Sequence, residues 1–543
     1  LTSTARANLA HRQRLGQFFT PHEVARFAVD VLRRLGARPS TVVDAAAGEG
    51  VFLEAAREAW RDAPPQCLGV DLDTSLVLPE RAGIERVCGN GLLDEASCGL
   101  VPEAFDAALG NPPYGGECLL ELRALSRGAD SASARRLAHA ILCESELWER
   151  WATRISAVPA ALTPAVCRLL DKASRFPIEL LFVERFVRLL KPGGWMAIVL
   201  PEGVLANARH EFVRAWLAER GVVAAVVGLP RVFARAGASA RTALLFYQKA
   251  PARQRERVLL TDPGIEWRPR LSLETSPRVD VQSYLSDVKR ELSHPTALVR
   301  VTWPEMRSSR WDPQFWDARY AAPLAGMAPR PLLPLGDFIT HLTYGPIVTG
   351  RSPEDYRGSV PLINQGQIDE SGIDLSQAVR VAEGSMFDVE RSRVRPGDLL
   401  LPRSGAGSLG RNRLAVFSGD EHSGPVNVGC FVNVIRLRDL NPYYVWFFLK
   451  TRFGWGQIRR LINGVGMPNI SFDEIRGLQI PQLSSDEQRM VELAWCDKVR
   501  PAHQLWLQHA GEVTRRRAVE QTAAVVRWLE RGLTLAAPLD YIG

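Results

Sequence analysis

Five residues, Gly110-Asn111-Pro112-Pro113-Tyr114, follow the apolar run Phe105 to Leu109, which reads as a strand. Neither proline donates a backbone N–H, so the turn is rigid and its carbonyls are free of a sheet ladder. Rigid acceptors suit one chemical problem in particular. An exocyclic amine on an aromatic base has its lone pair delocalised into the ring. It attacks an electrophile only when its N–H bonds are held by acceptors that favour a pyramidal nitrogen as charge develops. Asn111 Oδ1 and the Pro112 carbonyl form such a pair, and Tyr114 supplies an aromatic face for a base swung out of a duplex. A plain turn is the competing reading of Asn-Pro-Pro-Tyr, and its position at a strand end, downstream of a glycine loop and an acid, argues against it.

That glycine loop is Asp44-Ala45-Ala46-Ala47-Gly48-Glu49-Gly50, between the strand Thr41 to Asp44 and a helical pattern. Glycines at 48 and 50 let the backbone pass close under a ligand. A dinucleotide fingerprint needs its third glycine at position 53, where Leu53 stands, and no Gly-Lys-Ser/Thr follows to make a phosphate loop. A phosphate-free adenosyl ligand fits better. Asp71, ending the run Gly69-Val70-Asp71, is placed to accept hydrogen bonds from ribose hydroxyls. Taken alone, the loop and the acid are equally well a tight turn and a solvated carboxylate.

Together these motifs resemble the gamma class of N6-adenine DNA methyltransferases, over about Leu15 to Lys249. The resemblance implies S-adenosyl-L-methionine as cofactor and direct methyl transfer to a flipped-out adenine. Gly16-Gln17-Phe18-Phe19-Thr20-Pro21 looks like the class's first cofactor motif, with Thr20 on the cofactor. The family's roles carry to Asp44, Ala45, Ala46, Ala47, Gly48 and Gly50 for the methionine moiety, to Asp71 for the ribose, and to Pro113 near the adenosyl group. Asn90 stands where the family usually has Asp for the cofactor's adenine amino group; its amide oxygen still accepts, without charge. Phe233 matches the phenylalanine that clamps the flipped base, with a core role as the competing reading. The second half resembles one repeat of a type I restriction specificity subunit, on Arg310-Trp311-Asp312-Pro313, Val360 to Ile368, Gly397 to Gly405, Gly464 to Ser471 and Leu478-Gln479-Ile480-Pro481.

Elements that would position such a site are visible in the hydropathy pattern. Short apolar runs alternate with helical stretches from Thr41 to Lys249, which predicts a largely parallel α/β sheet with helices on both faces and its ligands at the strand carboxyl ends; the resemblance implies that this sheet is a Rossmann-like class I methyltransferase fold. Residues 1–250 form this expected catalytic domain, with a helical insertion over 118–175 that is rich in Ala, Leu, Glu and Arg. Prolines then multiply over 251–330, the expected connecting region. An α+β target-recognition domain over 331–483, mostly irregular β structure, and a long closing helix within 484–543 complete the reading. Arg351, Arg357, Arg403, Arg411, Arg413, Arg452, Arg459 and Arg460 are candidate DNA contacts, though any single one reads more readily as a solvated charge.

Composition sets outer bounds. A length of 543 residues needs at least two cores, and 46% hydrophobic with 23% charged residues excludes wholesale disorder. A net charge of +7 is compatible with a polyanionic partner without identifying one. The eight cysteines never form a C-x-x-C pair, so neither a metal site nor a disulfide framework is expected. No apolar stretch of about 18 residues and no export signal occur, and a cytoplasmic location away from membranes is the expectation. Double-stranded DNA is the expected partner, with a separate restriction nuclease or other defence-system subunit as a further one. Only about fifteen residues precede the first cofactor motif, which argues against a fused nuclease. Two rival readings keep the first half's pattern: a methyltransferase acting on RNA or a protein glutamine, and a recognition subunit active only in a larger complex.

Overall fold

A computed structural model of the chain describes residues 20–73, 83–93, 98–114, 119–229, 241–250, 258–261, 285–286, 299–307, 309–317, 322–347, 357–405, 407–462, 469–535 and 539. The chain divides into two compact units, Leu1–Ile265 with Glu274–Asp317, and Glu266–Leu273 with Ala318–Gly543.

The first unit is built on one sheet. Its strands are β1 (Thr41–Asp44), β2 (Gln66–Asp71), β3 (Ile84–Cys88), β4 (Phe105–Gly110), β5 (Leu190–Pro201), β6 (Val222–Gly228), β7 (Thr242–Gln248), β8 (Val258–Thr261) and β9 (Val299–Val301). Their order is β3-β2-β1-β4-β5-β7-β6-β8-β9. Strands β1 to β5 run parallel, and β7 runs antiparallel to both β5 and β6.

Successive side chains on these strands enter opposite cores, as a sheet covered on both faces requires. Val43, Leu68, Ala108 and Met196 join one apolar cluster. Their neighbours Val42, Cys67, Ala107 and Ala197 join the other. That second cluster is closed by helices α1 (His22–Arg34) and α2 (Val51–Ala59). The first takes the insertion helices α3 (Leu120–Ser126), α4 (Ala132–His139), α5 (Glu146–Trp151) and α6 (Pro164–Ala173), then α7 (Ile178–Leu189).

Two strands correct the expected boundary. Residues 251–330 read as a connection, yet β8 and β9 extend the sheet and the unit runs on to Asp317. Val258-Leu259-Leu260 is an apolar run short enough to be overlooked among prolines, and it pairs in parallel with β6.

In the second unit the strands are β10 (Leu332–Pro334), β11 (Ile339–Tyr344), β12 (Val360–Ile363), β13 (Val379–Val381), β14 (Leu399–Pro402), β15 (Ala415–Val416), β16 (Asn427–Val428), β17 (Val432–Leu437) and β18 (Gln479–Pro481). They form three small sheets, the largest ordered β11-β17-β14-β15. The expectation of mostly irregular β structure up to residue 483 is corrected by three helices, α8 (Pro442–Lys450), α9 (Arg452–Leu461) and α10 (Phe472–Arg476). The run Tyr444-Val445-Trp446-Phe447-Phe448 lies within that expected β region. It is a helix buried all round, started by Asn441 accepting the N–H groups of Tyr443 and Tyr444, with Pro442 at the first helical position.

The closing helical stretch is also interrupted. Ser484 and Glu487 cap α11 (Ser485–Ala494) reciprocally, a π turn over Trp495–Val499 leads into α12 (Arg500–His509), and Ala510 in a left-handed conformation at φ 41° ends it before α13 (Glu512–Leu535). No helix among the described residues is long and apolar enough to cross a membrane.

Candidate active site

Because β3, β2, β1 and β4 are adjacent and parallel, their carboxyl ends face the same edge. Asp44 ends β1, Asp71 ends β2, Asn90 lies two residues beyond β3, and Asn111 follows β4 directly. Four segments far apart in sequence thus meet along one side of the sheet.

Hydrogen bonds tie these segments together. Gly48 N–H donates to Asp71 Oδ2 at 2.7 Å, and Asp73 N–H donates to Asp71 Oδ1 at 2.9 Å. Each carboxylate oxygen keeps a lone pair for a further donor. Gly48 and Gly50 have φ of 51° and 81°, the left-handed region that favours glycine, and Gly50 is the residue from which α2 starts. Arg86 on β3 donates to the Gly48 and Glu49 carbonyls, holding the loop from the next-but-one strand.

Asp44 is 1% exposed, and its Oδ1 accepts the Ala46 N–H at 3.0 Å. Burial pushes its carboxyl up to about 8, with nearby Asp71 adding to the rise and the Ala46 N–H and Arg86 opposing it. Asp71 is also raised, mainly by burial. A Cβ at Gly110 would lie 2.6 Å from Asp44 Oδ1 and 2.9 Å from the Phe186 ring, so only glycine lets the loop acid approach the strand that leads into Asn111. A Cβ at Gly91 would lie 1.8 Å from the Ala45 carbonyl, a second close approach, between the turn beyond β3 and the loop after β1.

Asn90 opens a turn: its Oδ1 accepts the Leu92 N–H at 3.0 Å and its carbonyl accepts the Leu93 N–H at 3.0 Å. Pro112 is buried, Pro113 half-buried and Tyr114 buried. Burial pushes the Tyr114 phenol up, the Asn111 side chain beside it acts against that, and Glu179 acts with it. The tyrosine expected to stack on a base therefore lies with its ring in the core, next to Asn111. Thr20 is buried just ahead of α1, which packs on α2. Phe233 and residues 16–19 lie outside the described residues.

Sequence reading missed Arg86, Arg185, Phe186 and the buried pair Glu202 and Arg241, 3.5 Å apart where β5 ends and β7 begins. A signal for Arg185 is present in the sequence: Glu184 and Arg185 interrupt the otherwise apolar stretch Phe182-Val183-Glu184-Arg185-Phe186-Val187 within α7.

The second unit has its own polar convergence. The Arg403 guanidinium carbon lies 4.1 Å from the Tyr344 ring centre, and Tyr344 packs on Phe472 at 5.7 Å. Arg403 N–H donates to the Phe431 carbonyl at 2.7 Å, Gln365 Nε2 to the Ser404 carbonyl at 2.5 Å, and Phe431 is 46% exposed. Among the other candidate arginines, Arg452 and Arg459 lie over Phe453 and Trp455 on α9, and Arg351 falls outside the described residues.

A sheet in which β3-β2-β1-β4-β5 is parallel and the reversed β7 sits between β5 and β6, flanked by helices, with a glycine loop after β1 and an acid ending β2, defines a class I S-adenosylmethionine-dependent methyltransferase fold. Comparison with known proteins agrees in kind. Residues 172–269 match the family model "N-6 DNA Methylase". The chain is 28% identical over 208 residues to the type II methyltransferase M.TthHB8I of Thermus thermophilus; the match covers 38% of this chain and 39% of that relative. Among solved structures it is similar to the type IIG restriction endonuclease BpuSI (TM-score 0.42, 14% identity, 96% of this chain and 67% of that one). It is also similar to the type I restriction-modification methyltransferase subunit of Streptococcus thermophilus (TM-score 0.32, 22% identity, 51% and 53%). The family match begins at the end of α6 and takes in β5 to β8, so Asp44, Asp71 and Asn111 lie outside it.

Proposed function

We propose that this chain transfers a methyl group from S-adenosyl-L-methionine to N6 of an adenine in double-stranded DNA, at a sequence chosen by the second unit, within a restriction-modification system. The observation that carries this is the meeting of the glycine loop, Asp71 and Asn111-Pro112-Pro113-Tyr114 at neighbouring strand ends, with Asp44 against Gly110. The N-6 methylase match and the type II relative support the substrate.

The residues present fit an adenosyl cofactor. Asp71 keeps lone pairs for ribose hydroxyls, the positive-φ glycines bring bare backbone to the ligand, and the Asp44 carboxyl, held neutral by burial, would be favoured in its ionised form by a cationic group beside it. When bound, the cofactor supplies a methyl group on a positively charged sulfur. The chain's own part is to hold the amine. Asn111 Oδ1 and the Pro112 carbonyl accept its two N–H bonds, favouring a pyramidal nitrogen, and the proton leaves N6 after attack. In this reading the base is swung out of the duplex, and Tyr114 leaves its place beside Asn111 to stack on it, with Phe233 on the opposite face. Arg403, braced on Tyr344, meets the DNA backbone.

The test is methyl transfer from tritiated S-adenosyl-L-methionine to duplex DNA, followed by digestion to nucleosides. Label in N6-methyldeoxyadenosine, lost in Asn111→Ala, is the expected result. Label in RNA or protein, or in another nucleoside, contradicts the proposal.

A further inference from the structure

Helix α7 is buried along most of its length, yet it carries adjacent charges, Glu184 and Arg185, 3% and 4% exposed. A buried charge is tolerated only where hydrogen bonds satisfy it, so its partners tell what it holds in place. Glu184 accepts from Ser145 Oγ at 2.6 Å and from the Glu146 and Leu147 N–H groups at 2.9 and 3.2 Å, which fastens the start of α5.

Arg185 serves a different segment. Its Nε donates to the Gly91 carbonyl at 3.0 Å, and Nη2 donates to the carbonyls of Leu93 at 2.9 Å and Leu100 at 3.4 Å. Two of these three acceptors lie in the turn that Asn90 opens. The next residue, Phe186, is the one whose ring limits the space over Gly110. One stretch of helix therefore braces both the turn beyond β3 and the strand end before Asn111.

We infer that Arg185 is a positioning residue for the cofactor: its fork grips the Gly91 and Leu93 carbonyls and holds the Asn90 turn in the shape that receives the adenine. This rests on reading the strand-end site as an adenosyl pocket. An uncharged Asn90 binds by geometry alone, so its affinity depends on a turn that is already ordered before the ligand arrives. Lysine cannot replace the fork, because one ammonium on a flexible stem does not span two carbonyls in fixed directions. The close approach of Gly91 to the Ala45 carbonyl passes any shift of the turn to the glycine loop.

The experiment is calorimetric titration of the full chain with S-adenosylhomocysteine, for the native protein, Arg185→Lys, Asn90→Ala, the double variant and Glu184→Gln, each with a thermal melt. Arg185→Lys is expected to weaken binding about tenfold, while kcat at saturating cofactor stays within about threefold. In the Asn90→Ala background the same change is expected to cost less than about threefold, since the contact it supports is already gone. Glu184→Gln, equally buried one residue away, is expected to lower the melting temperature and leave affinity within about twofold. Native-like binding by Arg185→Lys, independent multiplication of the Arg185 and Asn90 losses, or equal weakening by Glu184→Gln would each overturn the inference. A native chain that binds no S-adenosylhomocysteine would overturn the pocket reading along with it.

Discussion

The two units arrange their polar residues in opposite ways. In the first, the candidate groups lie at, or within two residues of, the ends of adjacent parallel strands of four to six residues, and sheet order brings Asp44, Asp71, Asn90 and Asn111 to one edge. In the second, strands are two to six residues long, and Arg403, Gln365 and Phe431 come together through loops joined by a main-chain hydrogen bond from Arg403 to Phe431 and a side-chain one from Gln365 to the Ser404 carbonyl. A parallel sheet fixes chemistry and leaves little freedom in where it occurs. Loops on short sheets leave contact residues free to vary without disturbing a core. On this account the first unit sets what reaction occurs and the second sets where on DNA it occurs, and each half of that division can be attacked separately.

The hardest attack is on chemistry. Asn111→Ala is expected to lower methyl transfer by about a thousandfold or more, the scale of losing an aimed acceptor in a water-excluded site, with S-adenosylhomocysteine affinity unchanged within about twofold. Calorimetry beside a transfer assay separates the two. A comparable fall in cofactor affinity would place Asn111 in the wrong half of the site.

Asp71→Ala comes next. Its carboxylate anchors Gly48 as well as being the proposed ribose acceptor, so its loss is expected to weaken cofactor binding by about a hundredfold and to raise KM more than it lowers kcat. In the second unit, Arg403→Ala is expected to weaken DNA binding by about tenfold and to reduce the slope of log affinity against log salt by about one, with cofactor affinity untouched. Fluorescence anisotropy at several salt concentrations checks this. A change in cofactor affinity instead would blur the division between the units.

The smallest expected effect concerns pH. Asp44 is ionised in the unfolded chain above its ordinary value of 3.8 and stays neutral in the folded unit up to about 8. The folded state therefore loses this contribution as pH rises through that window, in the same direction as the raised Asp71. Asp44→Asn does not titrate. Its melting temperature is expected to match the native one near pH 4 and to exceed it by about 2–5 °C at pH 8.5.

How much of this is readable from order alone follows from the same contrast. The glycine loop, Asp71 and the Asn-Pro-Pro-Tyr turn are local runs at predictable strand ends, so type and spacing located them. The charged pair Glu184-Arg185 was a signal in the sequence, but what Arg185 holds was not readable, because its acceptors lie about ninety positions upstream and only folding brings them within reach. The helix Pro442–Lys450 was misread because an apolar aromatic run has no amphipathic period when every face is buried. The break at Ala510 escaped because a non-glycine residue took the left-handed conformation there. In the second unit the eight arginines could be listed but not grouped, and the structure ties Arg403 to Tyr344 while leaving Arg452 and Arg459 on a separate helix.

Single-molecule sequencing of plasmid DNA treated with the native chain and S-adenosyl-L-methionine would test the division of labour most directly. N6-methyladenine at one recurrent sequence, absent with Asn111→Ala and occurring less often at that same sequence with Arg403→Ala, is the expected pattern. Methylation scattered without sequence preference, or modification of a base other than adenine, would contradict it.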